Sequence, residues 1–410
     1  MRAGYLVRTA YLSGSALHLT ADFNATSPIE VIGVPTAAKS LFVNGQCVQY
    51  TVGDTGDWST NVAWTDPMLT LPTLSSLDWK FADSLPEIQP AYDDSLWPLA
   101  NHPTTKNTWR NLTTPTSLYS SDYGFHSGSF LYRGHFSAQG NESSIYLNTR
   151  GGTAYGHSVW LNQTFIGSWS GVSTANNTNV TYNLPQVQVG KPYVLTVLID
   201  HMGYDENGAV GGDEMKTPRG ILDYNLAGRD KSAITWKLTG NLGGEDYRDR
   251  ARGPLNEGSM YAERQGWHLP NPPNENWESR SPLDGISQPG VGFFSTQFDL
   301  NIPQGWDVPL SFDFGNSTHP PSEYRVQLFV NGFQYGKYVN HIGPQTSFPV
   351  PPGVLNYQGT NWLALTLWAH QPEGAKLESF QLENDTPVMS ALGIIEFVGQ
   401  SGYAQREGAY

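Results

Sequence analysis

The chain has 410 residues, 38% of them hydrophobic but only 15% charged, with 13 Trp and 21 Tyr; that length predicts two or three domains, and so little charge, against roughly 25% in an average soluble protein, predicts the uncharged polar surface of an extracellular protein. A formal net charge of −14 without any basic run argues against nucleic acid and anionic membranes as partners. No apolar run approaches the ~20 residues of a membrane span.

Helical periodicity is scarce. Short alternating runs bounded by Gly, Pro and Asn are everywhere, which makes the fold class an all-β sandwich. Met1–Arg8 lacks the apolar core of a signal peptide and reads as a strand entered midway, so further polypeptide is expected upstream. Residues 1–76 form part of a β-sandwich domain, with strands near 5–12, 17–23, 29–34 and 41–50. The run Leu41-Phe-Val-Asn-Gly45 is a hydrophobic strand entering a tight primed turn, because Asn and Gly tolerate positive φ. Cys47, the one cysteine, allows no internal disulfide and no thiolate metal site; a half-buried strand thiol is expected.

Two larger sandwiches follow, at 77–245 and 246–410. Each opens on a Trp- and Pro-rich lead-in, from Trp79 to Trp97 and from Tyr261 to Trp277, and their strands repeat in order. Phe130–Phe136 matches Phe293–Phe298, Ser158–Ser168 matches Val326–Lys337, Pro192–His201 matches Asn361–His370, and Ile234–Gly240 matches Leu392–Gly399. The second match repeats the hairpin of Leu41–Gly45, a strand pair typical of galactose-binding-like jelly rolls. Fold alone does not establish sugar binding.

The chain carries no phosphate-cradling Gly loop, nucleophile elbow, His-Glu-x-x-His or Cys-x-x-Cys. Its ten histidines have no ligand spacing, and His157, His201 and His370 read as hydrogen-bonded structural residues. No metal or cofactor is expected. The richest acidic segment runs from Asp205 to Gly220. Asp205, Glu206, Asp213 and Glu214 are the nominal candidates for the facing carboxylates of glycoside hydrolysis, against the simpler reading of a Gly-rich loop whose acids are solvated or paired to Lys216 and Arg219. A flexible loop holds a catalytic pair poorly. Among the aromatics that could stack on a pyranose, Trp160, Trp267, Trp277, Trp362 and Trp368 read mainly as core or interdomain residues, and Trp169, at a strand end, is the best exposed candidate. Sequons at Asn24, Asn111, Asn141, Asn162, Asn176, Asn179, Asn316 and Asn384 predict a secreted glycoprotein.

Several unusual strings resemble fungal glycoside hydrolase family 35 β-galactosidase. Among them are Gly211-Gly-Asp-Glu-Met-Lys-Thr-Pro-Arg-Gly-Ile221, Thr239-Gly-Asn-Leu-Gly-Gly-Glu-Asp-Tyr247, Tyr261-Ala-Glu-Arg-Gln-Gly-Trp267 and Gly343-Pro-Gln-Thr-Ser-Phe-Pro-Val350, and the resemblance covers all 410 residues. It implies a secreted, glycosylated enzyme that hydrolyses terminal non-reducing β-D-galactosides with retention, using two glutamates on an N-terminal TIM barrel. No stretch here matches that barrel, so no catalytic residue carries over, and the chain alone is expected to be inactive. What the resemblance implies for this chain is a supporting partner of the barrel, made of the end of a middle β-domain and two galactose-binding-like jelly rolls. The loop Asp205, Glu206, Asp213, Glu214, Arg219 is the candidate for bordering the pocket. Asn207-Gly-Ala-Val210 lacks the aromatic that relatives offer there. The resemblance also ranks Asn24, Asn162, Asn179 and Asn316 first as glycosylation sites. The alternatives are a free-standing galactose-binding, lectin-like module and a purely structural scaffold.

Overall fold

The computed structural model describes residues 1–205, 216–241, 256–315, 320–391, 393 and 395–397. The first piece has eight strands: β1 (Arg2–Ala3), β2 (Leu6–Ser13), β3 (Ala16–Asp22), β4 (Ser27–Val31), β5 (Ser40–Val43), β6 (Gln46–Val48), β7 (Thr51–Val52) and β8 (Trp58–Val62). They form two four-stranded sheets, β1-β4-β8-β7 and β2-β3-β5-β6. Alternate residues point inward, so Leu17, Leu19 and Ala21 of β3 meet Ile29, Leu41 and Trp58 in one core. At the β5–β6 turn Asn44 and Gly45 have φ of 50° and 80°. The Asn44 amide also pins the turn to β3, accepting from the Ala21 N–H and donating to the Ala21 carbonyl, each at 2.8 Å. Cys47 is exposed rather than half-buried, because β6 is an edge strand.

After β9 (Lys80–Asp83), the first sandwich contains β10 (Phe130–Ser137), β11 (Ser144–Arg150), β12 (His157–Leu161), β13 (Thr164–Trp169), β14 (Asn177–Asn183), β15 (Pro192–Ile199), β16 (Gly220–Leu226) and β17 (Thr235–Thr239). A five-stranded sheet, β13-β12-β15-β10-β17, shares one core with a three-stranded sheet, β14-β11-β16. The short helix α1 (Tyr261–Arg264) precedes the second sandwich. Its strands are β18 (Glu278–Ser279), β19 (Gly290–Asn301), β20 (Trp306–Asp307), β21 (Leu310–Asp313), β22 (Tyr324–Val330), β23 (Phe333–Val339), β24 (Ser347–Val350), β25 (Gln358–Ala369), β26 (Gln381–Asn384) and β27 (Val388–Met389). Here the sheets are β18-β9-β19-β25-β22-β23 and β24-β21-β26, with β20 and β27 pairing separately. The run β23-β22-β25-β19 reproduces β13-β12-β15-β10, and β24-β21-β26 reproduces β14-β11-β16.

Two details differ from the sequence reading. Asn162 donates its N–H to the Val194 carbonyl at 2.7 Å and accepts from the Val194 N–H at 3.0 Å. Asn331 makes the same pair of bonds with Trp362, both at 2.8 Å. Val194 is therefore the counterpart of Trp362, not of Leu363, and Asp200 is the counterpart of Trp368: the match of Pro192–His201 to Asn361–His370 is out by one residue. The second detail is the strand beside β19. In the first sandwich β17 occupies the corresponding place beside β10; in the second, that place belongs to β9 and not to Leu392–Gly399, part of which lies outside the described residues. Residues 77–83, assigned by sequence to the head of the first sandwich, thus build the second. Trp79 lies in the second core with its indole N–H donating to the Leu74 carbonyl at 2.8 Å, and Phe81 packs on Phe294 at 5.1 Å between centroids. The expected boundary at 245/246 lies outside the described residues.

The outer faces of the two large sheets meet. Leu131, Trp160 and Leu198 of the first sandwich cluster with Val291 and Trp368 of the second, with Leu85 of the first lead-in and with Met260 just before α1, each large side chain contributing about 2 kcal/mol by burial. Trp368 donates its indole N–H to Ser158 Oγ at 3.0 Å. Gly156 permits the approach, since a Cβ there would fall 2.7 Å from Arg325 Nε. Buried ion pairs Arg133–Asp94 and Arg264–Glu87 tie the lead-ins to this seam.

Candidate functional site

The chain leaves β15 at Ile199, runs through Asp200–Asp205, and returns through Lys216–Arg219 into β16. Arg219 is fully buried and closes this neck. Its Nε and Nη2 donate to the Gly203 carbonyl at 3.0 and 2.8 Å, and its Nη1 donates to Thr217 Oγ1 at 2.6 Å. Its Nη2 also meets Asp205 Oδ1 at 3.3 Å, and the guanidinium lies 5.2 Å from the Tyr204 ring centroid. Burial pushes the Asp205 carboxyl up, but the Thr217 hydroxyl and Arg219 more than offset this and hold it below its usual value. Gly220, with φ of 113°, is required at the entry to β16, because a Cβ would sit 2.1 Å from the Tyr132 hydroxyl. Asn107 adds a brace by donating to the Lys216 carbonyl at 2.8 Å.

Of the predicted loop residues, the structure therefore brings Asp205 and Arg219 together as an ion pair, as the simpler reading of that segment requires. Glu206, Asp213 and Glu214 lie outside the described residues. Asp205 is an acceptor fixed by a cation and a hydroxyl, an arrangement that anchors a loop and keeps the carboxylate ionised, not one that poises a proton for transfer.

Immediately behind the neck lies a set of charges that the sequence reading missed. Asp200, almost completely buried, receives Arg325 Nη1 at 2.8 Å and Lys337 Nζ at 2.5 Å, both from the second sandwich. Lys337 also donates to the His201 carbonyl at 2.9 Å and meets Glu257 Oε1 at 2.7 Å. Arg325 further donates to the carbonyls of Ala154 and Ser170 at 2.5 and 2.7 Å. Burial pushes the Asp200 carboxyl up, yet Lys337 and Arg325 together pull it well below the carboxylate range. Burial pushes Glu257 up to about 7. The one local signal in sequence was an acid directly after the apolar run of β15; its partners lie 125 and 137 residues away.

The histidines are placed differently: His157 faces the interior of the first sandwich, and His370 lies at the seam. His157 is buried between Thr149 Oγ1 at 2.9 Å and the Tyr182 hydroxyl at 2.7 Å, and burial holds it neutral, down to about 3. The His201 ring accepts the Gly203 N–H at 2.9 Å. His370 differs from expectation: it stacks on Trp368 at 4.5 Å, and among the described residues its ring nitrogens have no hydrogen-bond partner. Among the described residues no group of three or more His, Cys, Asp or Glu could hold a metal ion, and no described helix is long and apolar enough to cross a membrane.

Trp169 is half-buried, packs on the first core, and has its indole nitrogen shielded. The exposed aromatic in this region is Trp109, 54% accessible, beneath which Arg150 stacks at 5.2 Å. Trp160 and Trp368 are seam residues, and Trp267 and Trp277 pack on each other and on Phe293. Asn24 and Asn179 are exposed and Asn162 is half-exposed; Asn316 lies outside the described residues.

A sequence profile described as β-galactosidase domain 3 matches residues 1–59, and one described as the β-galactosidase second all-beta domain matches twice, at 92–205 and 261–373. Beta-galactosidase A of Aspergillus niger is 63% identical over the whole chain, a probable beta-galactosidase A of Aspergillus fumigatus 62%, and beta-galactosidase A of a Penicillium species 59%. The chain spans 41% of the length of each of these three relatives. Among solved structures, a Bacteroides uniformis β-glucuronidase aligns with 78% of this chain and 28% of its own at 13% identity and a TM-score of 0.22, too distant to bear on the fold. The chain belongs to the β-galactosidase family.

Proposed function

We propose that this chain is the non-catalytic β-sandwich region of a secreted β-galactosidase that hydrolyses terminal non-reducing β-D-galactosides with retention. In this reading the two sandwiches are galactose-binding-like jelly rolls that brace an N-terminal TIM barrel, and the loop rising from the Asp205–Arg219 neck borders its pocket. The observation that carries the reading is the 63% identity over all 410 residues to a relative of which they form 41%. The rigid neck supports the role of the loop, since a segment that borders a pocket has to be held at its base by elements that do not move. Exposed Asn24 and Asn179 suit a secreted glycoprotein. Asn162 does too, because its bond to Val194 uses Oδ1 and not the nitrogen that would carry a glycan.

The test is incubation of the purified chain with a chromogenic β-galactoside. No turnover is expected. Turnover comparable to that of a complete β-galactosidase would overturn the assignment.

A further inference from the structure

Exposed large apolar side chains are not spread evenly. Of the thirteen among the described residues, eight lie in residues 1–76: Met1, Tyr5, Leu6, Tyr11, Leu12, Ile32, Val52 and Met68. Three of them, Leu6, Tyr11 and Leu12, lie on β2, an eight-residue edge strand exposed along nearly its whole length. On one face of its sheet Tyr11, His18 and Phe42 stack in a ladder, at 5.0 and 4.8 Å between centroids. On the other face Ala10 and Leu12 pair with the buried residues Leu19 and Leu17 but remain uncovered themselves. A register shift at Arg8, whose guanidinium meets Asp22, leaves Thr9–Ser13 as the regular segment. The other sheet of the same piece carries a groove of about 720 Å³ lined by Gly4, Pro28, Glu30, Tyr50 and Thr60.

An uncovered edge strand bearing exposed apolar side chains is a liability for a free protein, which would blunt it or cover it. We infer that β2, from Thr9 to Ser13, with the Tyr11–His18–Phe42 ladder, is the surface on which the remaining part of the β-galactosidase polypeptide docks, an extended apolar segment of it adding to the sheet at this edge. The inference rests on the reading under Proposed function. The occupant follows from length: the chain accounts for only 41% of its relatives, and the uncovered surface is concentrated in the piece that matches β-galactosidase domain 3. Strand addition supplies main-chain hydrogen bonds along the edge, and alternate side chains of the added strand would meet the ladder on one face and Leu12 on the other.

The test mixes this 410-residue chain with the separately produced remainder of the Aspergillus niger relative. A one-to-one complex by light scattering is expected, with amide exchange at Thr9–Ser13 slowed about tenfold or more. Tyr11→Asp and Leu12→Asp should each weaken the complex about tenfold while lowering the melting temperature of the isolated chain only slightly, since both side chains are exposed and Tyr11 loses no more than its stacking on His18. A complex that leaves exchange at Thr9–Ser13 unchanged and tolerates both variants overturns this surface but not the function. A dimer of the chain alone that protects Thr9–Ser13 assigns the edge to a second copy and overturns the proposal. Failure to form any complex overturns the supporting role itself.

Discussion

Asp200 at the end of one sandwich and Arg325 on the sheet of the other meet at 2.8 Å, and neither is more than 4% accessible along its side chain. Their union, with Lys337 on the second carboxylate oxygen, makes the seam between the sandwiches ionic at its rim and apolar at its centre. Removing one partner of such a cluster leaves the others charged and dry. Asp200→Ala should destabilise the chain by about 3–5 kcal/mol, read as a lower denaturation midpoint, and Asp200→Asn should recover only part of the loss.

The same cluster sets a pH dependence. The native pKa of Glu257 lies above its ordinary value of 4.5, at about 7, so the folded state binds that proton more tightly. Its contribution is full below pH 4.5 and is lost as pH rises through about 7. Asp200 acts in the opposite sense: its native value lies below its ordinary 3.8, and its contribution is present above that pH and lost as pH falls through the native value. Stability should therefore peak on the acid side of neutrality. Glu257→Gln should flatten the alkaline limb of a melting temperature–pH profile and leave the acid limb in place.

Arg219 holds the neck through a planar fork that lysine cannot reproduce. Arg219→Lys should cost about 1.5–3 kcal/mol and speed amide exchange at Gly203 and Tyr204, with the seam at Trp368 unaffected. Equal loosening of both places would mean that the neck is not an independent clamp.

The two tryptophans separate packing from exposure. Trp169→Ala should destabilise the first sandwich by about 2 kcal/mol or more, whereas Trp109→Ala should stay within about 1 kcal/mol, the worth of its contact with Arg150. Paired thermal melts decide this. If calorimetry finds galactose binding, loss of binding at a normal melting temperature is expected for Trp109→Ala, not for Trp169→Ala.

The sandwiches were legible because Asn44, Asn162 and Asn331 each stand at a turn that needs positive φ, and such turns mark strand ends in sequence. The phase of β15 and β25 was not. Both strands are covered on two faces, so apolar residues occupy consecutive positions and the alternation that fixes register fades. The neck was half legible: the pairing of Asp205 with Arg219 follows from proximity in sequence, whereas Asp200 finds its cations in another sandwich, where no local pattern points to them. Exposure of Trp169 could not be judged from its place beside Ser168 and Gly171, since the end of a strand can still lie under the edge of its own core.

The strand Lys80–Asp83 has a consequence for synthesis. It leaves the ribosome well before its hydrogen-bonding partner Gly292–Ser295, which lies some two hundred residues later, as the bond from Ser84 to the Val291 carbonyl, spanning 207 positions, records. At roughly 5–20 residues per second the strand waits about 10–40 seconds for its sheet. During that interval the first sandwich can close around its own strands, but the last cannot complete its larger sheet from its own sequence alone. A cut between the sandwiches would therefore produce two incomplete products, one carrying a stray strand and one lacking it.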